Sequence, residues 1–345
     1  MHMQDDFPLL LSTLYDNAVW QYPQQEIVSV EADRSIHRTT YAETDVRVRK
    51  LATALAQLGI DVGARVGTFA WNNHRHHELY WATVNTGRVC HTLNIRLFAD
   101  QLTYIVNHAE DKVIFIDPDL APLVAPLVPS FTTVEHFVIL GDSTEGCGID
   151  GAIAYEDLIA GAEPQKEWPL LDEASPMMFC YTSGTTGNPK GVAYTQRSTY
   201  LHTISNLAMN PISAVDNVLP VVPMFHAAAW GYPFMAVTVG AKMTYPGPDL
   251  SGKALVDLFV NERPKWRQLL ELLNLFDCIS CKHIVAHDAI IALFIFGLFP
   301  LLFPNILFLF DVLFFCDLKI WICRFPLIAY IIPPVGLDEV ACRFR

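Results

Sequence analysis

Tyr181-Thr182-Ser183-Gly184-Thr185-Thr186-Gly187-Asn188-Pro189-Lys190-Gly191-Val192 stands between two short β-prone runs, Met177-Met178-Phe179-Cys180 before it and Val192-Ala193-Tyr194 after it. A strand opening into glycines and hydroxyls, with a single lysine, has the chemistry of a polyphosphate site. Gly184, Gly187 and Gly191 let backbone N–H groups close on an anion with no Cβ in the way. Thr182, Ser183, Thr185 and Thr186 add hydroxyl donors, and Lys190 adds a full positive charge. The common nucleoside-triphosphate loop is a different object, because it needs G-x-x-x-x-G-K-[ST] running into a helix. Here Asn188-Pro189 separates Gly187 from Lys190, and Gly191 follows the lysine where Ser or Thr is required. Loops of this composition are otherwise ordinary solvated turns. The ordered string, rather than its composition, therefore carries the reading.

Upstream, strands and helices alternate. Thr40-Tyr41-Ala42-Glu43 reads as a capping box, and Val48, Leu51, Ala52, Leu55 and Leu58 recur at helical spacing behind it, with Gly59 as the stop. Arg65 to Ala70 predicts a strand, His76 to Thr86 a helix, Val89 to Leu93 an apolar run and Ala99 to Ala109 a second helix. Lys112 to Asp117 and Phe137 to Leu140 are short apolar runs, the mark of strands buried on both faces in a parallel sheet. Gly141 to Pro176 reads as a long connection with one short helix near Tyr155. The pattern predicts an α/β fold: doubly wound, mostly parallel sheets with flanking helices.

A formal charge of −13 argues against a nucleic-acid partner, whose phosphates demand a basic face. Met1-His2-Met3-Gln4-Asp5-Asp6 has neither the basic start nor the apolar stretch of a secretory signal. Only Cys90, Cys147 and Cys180 precede residue 270, too sparse for a disulfide scaffold, so a reducing, cytoplasmic setting is expected. The apolar share, 52%, is high for a soluble chain, and the excess sits after about residue 289.

The central string resembles the phosphate-binding signature of AMP-forming, acyl-adenylating ligases, [YF]-T-S-G-T-T-G-x-P-K-G-V, and matches it at every fixed position. The resemblance extends over roughly residues 7–262 through Thr40-Tyr41-Ala42-Glu43, Trp71-Asn72-Asn73, Asn94-Ile95-Arg96-Leu97 and Asn107-His108-Ala109-Glu110-Asp111. Pro223-Met224-Phe225-His226-Ala227-Ala228-Ala229-Trp230 and Pro246-Gly247-Pro248-Asp249-Leu250 continue it, most like the branch that activates medium- and long-chain fatty acids. Taken alone, Trp71 and Trp230 read as packing and His226 as a satisfied structural histidine. The resemblance implies more. Thr182, Ser183, Gly184, Thr185, Thr186, Gly187 and Lys190 would hold the ATP phosphates, His226 would lie beside phosphates and acyl carboxylate, and Trp230 would line or gate the acyl channel. It also implies ATP, Mg²⁺ and coenzyme A as cofactors, a small carboxylic acid such as a fatty acid as substrate, and allows a homodimer.

After Glu262 the resemblance stops. Y-G-x-T-E, whose glutamate would hold Mg²⁺, is absent, as are the ribose aspartate, the hinge and the small C-terminal domain with its adenylation lysine. Residues 1–262 are thus expected to form the N-terminal part of an adenylation domain, and 263–345 an unrelated apolar, helical tail. Two functions follow: an acyl-CoA synthetase with impaired adenylation, or an inactive, truncated relative that binds nucleotide weakly. Ala289 to Phe310 carries no charge, and three readings fit it. It is a membrane anchor that gives the chain membrane contact, a buried core helix, or sequence from a retained intron or an out-of-frame reading. Cys278, Cys281, His283 and His287 have a zinc-like look, but one residue between the pairs is too few for a zinc finger, and no metal site is expected.

Overall fold

The computed structural model describes residues 7–182 and 188–264. The 263–345 tail from Lys265 onward, with its 289–310 run and the Cys278–His287 cluster, lies outside the described residues, and so do Ser183–Gly187. In chain order the elements are α1 (Leu11–Gln21), β1 (Glu26–Val30), β2 (Ile36–Thr40), α2 (Tyr41–Gln57), β3 (Arg65–Phe69), α3 (His74–Asn85) and β4 (Val89–Thr92). There follow α4 (Ala99–Ala109), β5 (Asp111–Ile116), α5 (Ala121–Val124), β6 (His136–Ile139), β7 (Ile153–Ala154), α6 (Tyr155–Ala160) and β8 (Pro176–Thr182). The last are β9 (Lys190–Thr195), α7 (Gln196–Met209), β10 (Asn217–Val218), α8 (Tyr232–Thr238), β11 (Lys242–Tyr245) and α9 (Gly252–Glu262). Among the described residues no helix is long and apolar enough to cross a membrane.

Two sheets result. The larger has the order β7-β6-β5-β3-β4-β8-β9, parallel throughout except for β9, which runs antiparallel on β8. The chain places β4 on one side of β3 and β5 on the other, which is the doubly wound arrangement expected from the alternation of elements. The smaller sheet, β10-β11-β1-β2, joins an N-terminal hairpin to strands almost two hundred residues later: Ile27 pairs with Met243.

The local signals hold. Thr40 Oγ1 accepts from the Glu43 N–H at 3.2 Å and the Glu43 carboxylate accepts from the Thr40 N–H at 2.8 Å, a closed capping box at the start of α2. Val48, Leu51, Ala52 and Leu55 are fully buried along its inner face, and Gly59, at φ +76°, ends the run.

α3 lies between the sheets, packed on β1 from one and on β4 and β8 from the other. Its opening, His74-Arg75-His76-His77-Glu78, is polar but buried or nearly so, so each group must find a partner inside. His76 bridges Trp71 O at 2.9 Å and Thr68 Oγ1 at 3.0 Å, and His77 Nδ1 meets the Tyr245 hydroxyl at 2.6 Å. Burial pushes His76 down to about 4 and His77 to about 3, so both rings are neutral. Glu78 is held by Arg47 and Tyr155. These bonds fix both sheets to one helix, and that frame positions the site.

Candidate active site

In a doubly wound sheet, ligands sit outside the carboxyl ends of the strands, near the point where the winding reverses. The conspicuous motifs converge there. Trp71-Asn72-Asn73 follows β3, Asn94-Ile95-Arg96-Leu97 follows β4, Asp117 follows β5, and the glycine-hydroxyl string follows β8.

The string is the turn of a β-hairpin. Thr182, the last residue of β8, pairs with Lys190, the first of β9, so hydroxyl and exposed ammonium flank the mouth of the loop. Tyr181 pairs with Gly191, where a Cβ would stand 3.0 Å from the Tyr181 ring. The glycine is therefore needed for close ring packing as well as for backbone freedom. The Tyr181 hydroxyl shares a 2.7 Å hydrogen bond with His108 Nδ1, and burial raises the phenol to about 12. Ser183, Gly184, Thr185, Thr186 and Gly187, read from the sequence as phosphate donors, are not among the described residues.

The second motif, Pro223 to Trp230, reaches the same edge through one anchor. Asn72 Nδ2 donates to Pro220 O at 2.8 Å and Val222 O at 2.9 Å, while its Oδ1 accepts from the Met224 N–H at 2.6 Å. Cys180, two residues before Thr182, is buried beside the motif: its sulfur lies 3.2 Å from Thr92 Oγ1. Burial pushes this thiol's pKa up, and the neighbouring Ala228 and Ala227 backbone only limits the rise, so the thiol is not poised as a nucleophile.

Beyond this anchor the backbone is strained. Ala227, Ala228, Ala229 and Trp230 have φ of 45°, 53°, 49° and 54°, and Gly231 continues at 81°. Left-handed backbone costs a non-glycine residue about 1–2 kcal/mol, so the surroundings must over-determine the turn. Ala229 is fully buried, and Gly231 packs so closely on His202 that a Cβ would come within 2.9 Å of the ring. His226 precedes the turn and is exposed; Trp230 closes it with 42% of its surface exposed. The structure thus pairs Thr182 with Lys190 at the end of β8 and places His226 and Trp230, both exposed, at either end of the left-handed turn. Neither Cys180 nor the left-handed turn carries a local signal in the sequence.

Next to the turn a shallow surface depression, open to solvent and enclosing about one water's space, is lined by Trp71, Asn72, Arg96, Pro223, Phe225 and Leu250, among others.

Asp117 closes the floor. It is buried, and its oxygens accept from the Trp71 N–H at 2.7 Å and from Asn73 Nδ2 at 3.0 Å. Burial pushes its carboxyl up to about 7, a rise that these two donors only limit. A folded pKa above the unfolded one means that the folded state holds the proton longer, so stability falls as pH rises between the two values. From about pH 5.5 to about pH 7 the loss is about 2 kcal/mol at about 1.4 kcal/mol per pH unit. Asp117→Asn keeps an acceptor and removes the charge. Urea titrations across that range are expected to show the loss in the wild type and not in the variant. Parallel curves would show that Asp117 ionises normally.

Among the described residues no group of three or more His, Cys, Asp or Glu side chains is placed to hold a metal ion.

Comparison with known proteins agrees with this geometry. The family model for AMP-binding enzymes matches residues 15–270. The chain is 48% identical over 255 residues to a 3-methylmercaptopropionyl-CoA ligase of Ruegeria lacuscaerulensis, covering 73% of this chain and 47% of that one. It is 45% identical over 258 residues to a medium-chain-fatty-acid–CoA ligase of Ectopseudomonas oleovorans, covering 74% and 47%. The chain thus spans about half the length of the curated relatives it matches. In fold it resembles the solved N-terminal domain of FACL13 from Mycobacterium tuberculosis, with a TM-score of 0.63 at 23% identity, over 74% of this chain and 61% of that one.

Proposed function

The chain belongs to the AMP-binding enzymes, and from that membership we propose that residues 1–262 are the phosphate- and acyl-gripping part of an acyl-CoA ligase, with 263–345 a separate segment. The observation that carries this reading is the pairing of Thr182 with Lys190 at the ends of β8 and β9. The names of the relatives point to a carboxylic acid, of fatty-acid type, as substrate and to coenzyme A as acyl acceptor.

In this reading a substrate carboxylate oxygen attacks the α-phosphate of ATP. The bond to the bridging oxygen breaks, and acyl-adenylate and pyrophosphate result. Negative charge grows on the departing pyrophosphate, so donors already in place around it stabilise the transition state more than the ground state. Thr182, the Ser183–Gly187 loop and Lys190 are proposed as those donors. The close Tyr181–Gly191 packing, which a Cβ would disturb, supports a backbone arranged for near approach. His226 is proposed to meet the acyl carboxylate and Trp230 to border its tail. Mg²⁺ would be carried chiefly by the nucleotide's own phosphates, which is how that ion is usually bound.

Calorimetric titration with ATP tests the grip directly. Lys190→Ala is expected to weaken ATP binding by about tenfold or more, the loss of one charge-assisted contact. A change within about twofold would remove Lys190 from the site. ATP–pyrophosphate exchange over a panel of carboxylic acids then separates the two activities. Exchange at the rate of an intact ligase assigns full adenylation. Binding without exchange assigns the nucleotide grip alone.

A further inference from the structure

Asn107-His108-Ala109-Glu110-Asp111 lies beside the strand that carries the glycine-hydroxyl string, although none of its residues is among the phosphate donors. Glu110 alone separates α4 from β5, and it turns the chain in left-handed backbone at φ 56°. Arg65 bridges the joint, donating to Ala109 O and, at 2.6 Å, to the Glu110 carboxylate. The tight turn brings His108 and Asp111 to the same neighbour, Tyr181 of β8, by two routes. His108 is bonded to the Tyr181 hydroxyl directly, and Tyr104 stacks on its ring at 5.2 Å. Asp111 acts through His91: both its oxygens lie 2.8 Å from His91 Nδ1, and the His91 ring centroid is 5.0 Å from that of Tyr181.

The Asp111–His91 pair calls for an explanation. Neither side chain is exposed at all. The two reach over β3 at Gly67, where a Cβ would stand 3.3 Å from Asp111 Oδ2. His91 Nε2 is buried with no hydrogen-bond partner, and the rings of Tyr181 and Phe179 are its aromatic neighbours. Apolar side chains of similar volume commonly stabilise a fold at least as well as a buried ion pair, so stability does not account for this one. Holding the Tyr181 ring in one place does.

The hairpin needs such a fixed point. Near the loop, Lys190 to Ala193 are all exposed, so no buried face sets the alignment of β9 on β8 there. Exposed, glycine-bearing strands slip readily, and a slip of one residue moves every side chain to the other face. Here it would bring Lys190 or Val192 opposite Tyr181 in place of Gly191. Even at Gly191 a Cβ would stand 3.0 Å from a ring carbon, and the ring is backed by His108 and His91. Residues with a side chain are therefore turned away.

We propose that Tyr181 is the register pin of the β8–β9 hairpin: its ring admits only glycine opposite it and so sets the Thr182 hydroxyl across from the Lys190 ammonium, with His108 and the Asp111–His91 pair as positioning residues behind the ring. The use made of that alignment rests on the ATP-gripping function proposed for the hairpin; the alignment itself does not.

The test uses the full 345-residue chain and two measurements. In protein labelled with carbon-13 at glycine, the Tyr181 ring current displaces the Gly191 Hα resonances, which are identified by their absence in Gly191→Ala. The displacement is expected to vanish in Tyr181→Leu and to shrink in His108→Ala. Calorimetry with ATP is the second measurement. Gly191→Ala and Tyr181→Leu are each expected to weaken binding by about tenfold. Gly191→Ala made within Tyr181→Leu is expected to add less than about twofold, because the clash has gone with the ring. A ring that only fills space would give losses that multiply. Each variant's unfolding midpoint reports whether it has kept its fold. Two results overturn the proposal: Gly191 resonances indifferent to both Tyr181→Leu and His108→Ala, or losses of ATP affinity that multiply. A wild-type chain that does not bind ATP removes the ATP-gripping function alone, and the glycine resonances then decide the register.

Discussion

Arg47→Ala is expected to destabilise the fold by about 3–5 kcal/mol, the loss seen when one partner of a buried ion pair is removed. Arg47 reaches from α2 with Nε 2.7 Å from Glu78 Oε1 and its terminal nitrogens 2.8 and 2.9 Å from the Glu156 carboxylate. Glu78 lies on α3 with no solvent exposure, and its other oxygen accepts from the Tyr155 hydroxyl at 2.5 Å. Alanine would leave that carboxylate in the interior with Tyr155 as its remaining partner. Glu156 has a second support in Arg75 at 2.9 Å and lies nearer to solvent, so it suffers less. Burial pushes the Glu156 carboxyl up, but the Arg47 and Arg75 guanidiniums outweigh it and hold it at about 2. Its contribution is present above the ordinary Glu value of 4.5 and is lost only as pH falls toward about 2, so acid does not imitate the Arg47 variant at neutral pH. Arg47→Ala combined with Glu78→Gln should recover part of the loss, because the stranded charge is then gone. Urea unfolding measures both variants. A loss below about 1.5 kcal/mol for Arg47→Ala, or no recovery in the pair, would show that Glu78 is served by other groups.

The same network shows where sequence reading reaches its end. α4 falls on Ala99–Ala109, the range its spacing predicts, and the Thr40–Glu43 capping box closes as drawn, because both signals are local. β5 and β6 were legible for a related reason: Val113 to Ile116 and Phe137 to Ile139, enclosed in the sheet, are apolar runs. The smaller sheet was not, since the β1–β11 pairing is a long-range closure with no local trace. His74-Arg75-His76-His77-Glu78 has a surface composition, and its burial depends on partners from β3, α2, α6 and β11. Ala227-Ala228-Ala229 would by propensity enter a right-handed helix, alanine being the best helix former, yet it takes the opposite hand in a segment that Asn72 holds just upstream at Met224. At the site itself, Thr182 and Lys190 were visible as chemistry. That Asn72 clamps the segment leading to His226 was not.

Asn72 should be costly to remove. One side chain, 5% exposed, satisfies three backbone groups: the carbonyls of Pro220 and Val222 and the N–H of Met224. Pro220, Val222 and Met224 lie on a buried segment where solvent is poorly placed to substitute. Each buried group left unpaired costs about 1–3 kcal/mol, so Asn72→Ala is expected to lose about 3–5 kcal/mol in urea unfolding. The chemistry of the clamp separates it from simple packing. Asn72→Asp has nearly the same shape, but it presents oxygen to both carbonyls and should lose at least as much as alanine. If shape were what mattered, Asp would be benign. The local effect should exceed the global one, because the segment held by Asn72 leads straight into four non-glycine residues in left-handed backbone. Freed at one end, that turn has a downhill route to right-handed conformation. Hydrogen exchange at Met224, His226 and Ala229 is therefore expected to accelerate in Asn72→Ala beyond what the loss of global stability explains. In the α3 amides the acceleration should match that loss. Uniform acceleration would mean that Asn72 merely contributes to the core. Selective acceleration would mean that Asn72 holds the segment leading into the His226–Trp230 turn and keeps that turn under strain.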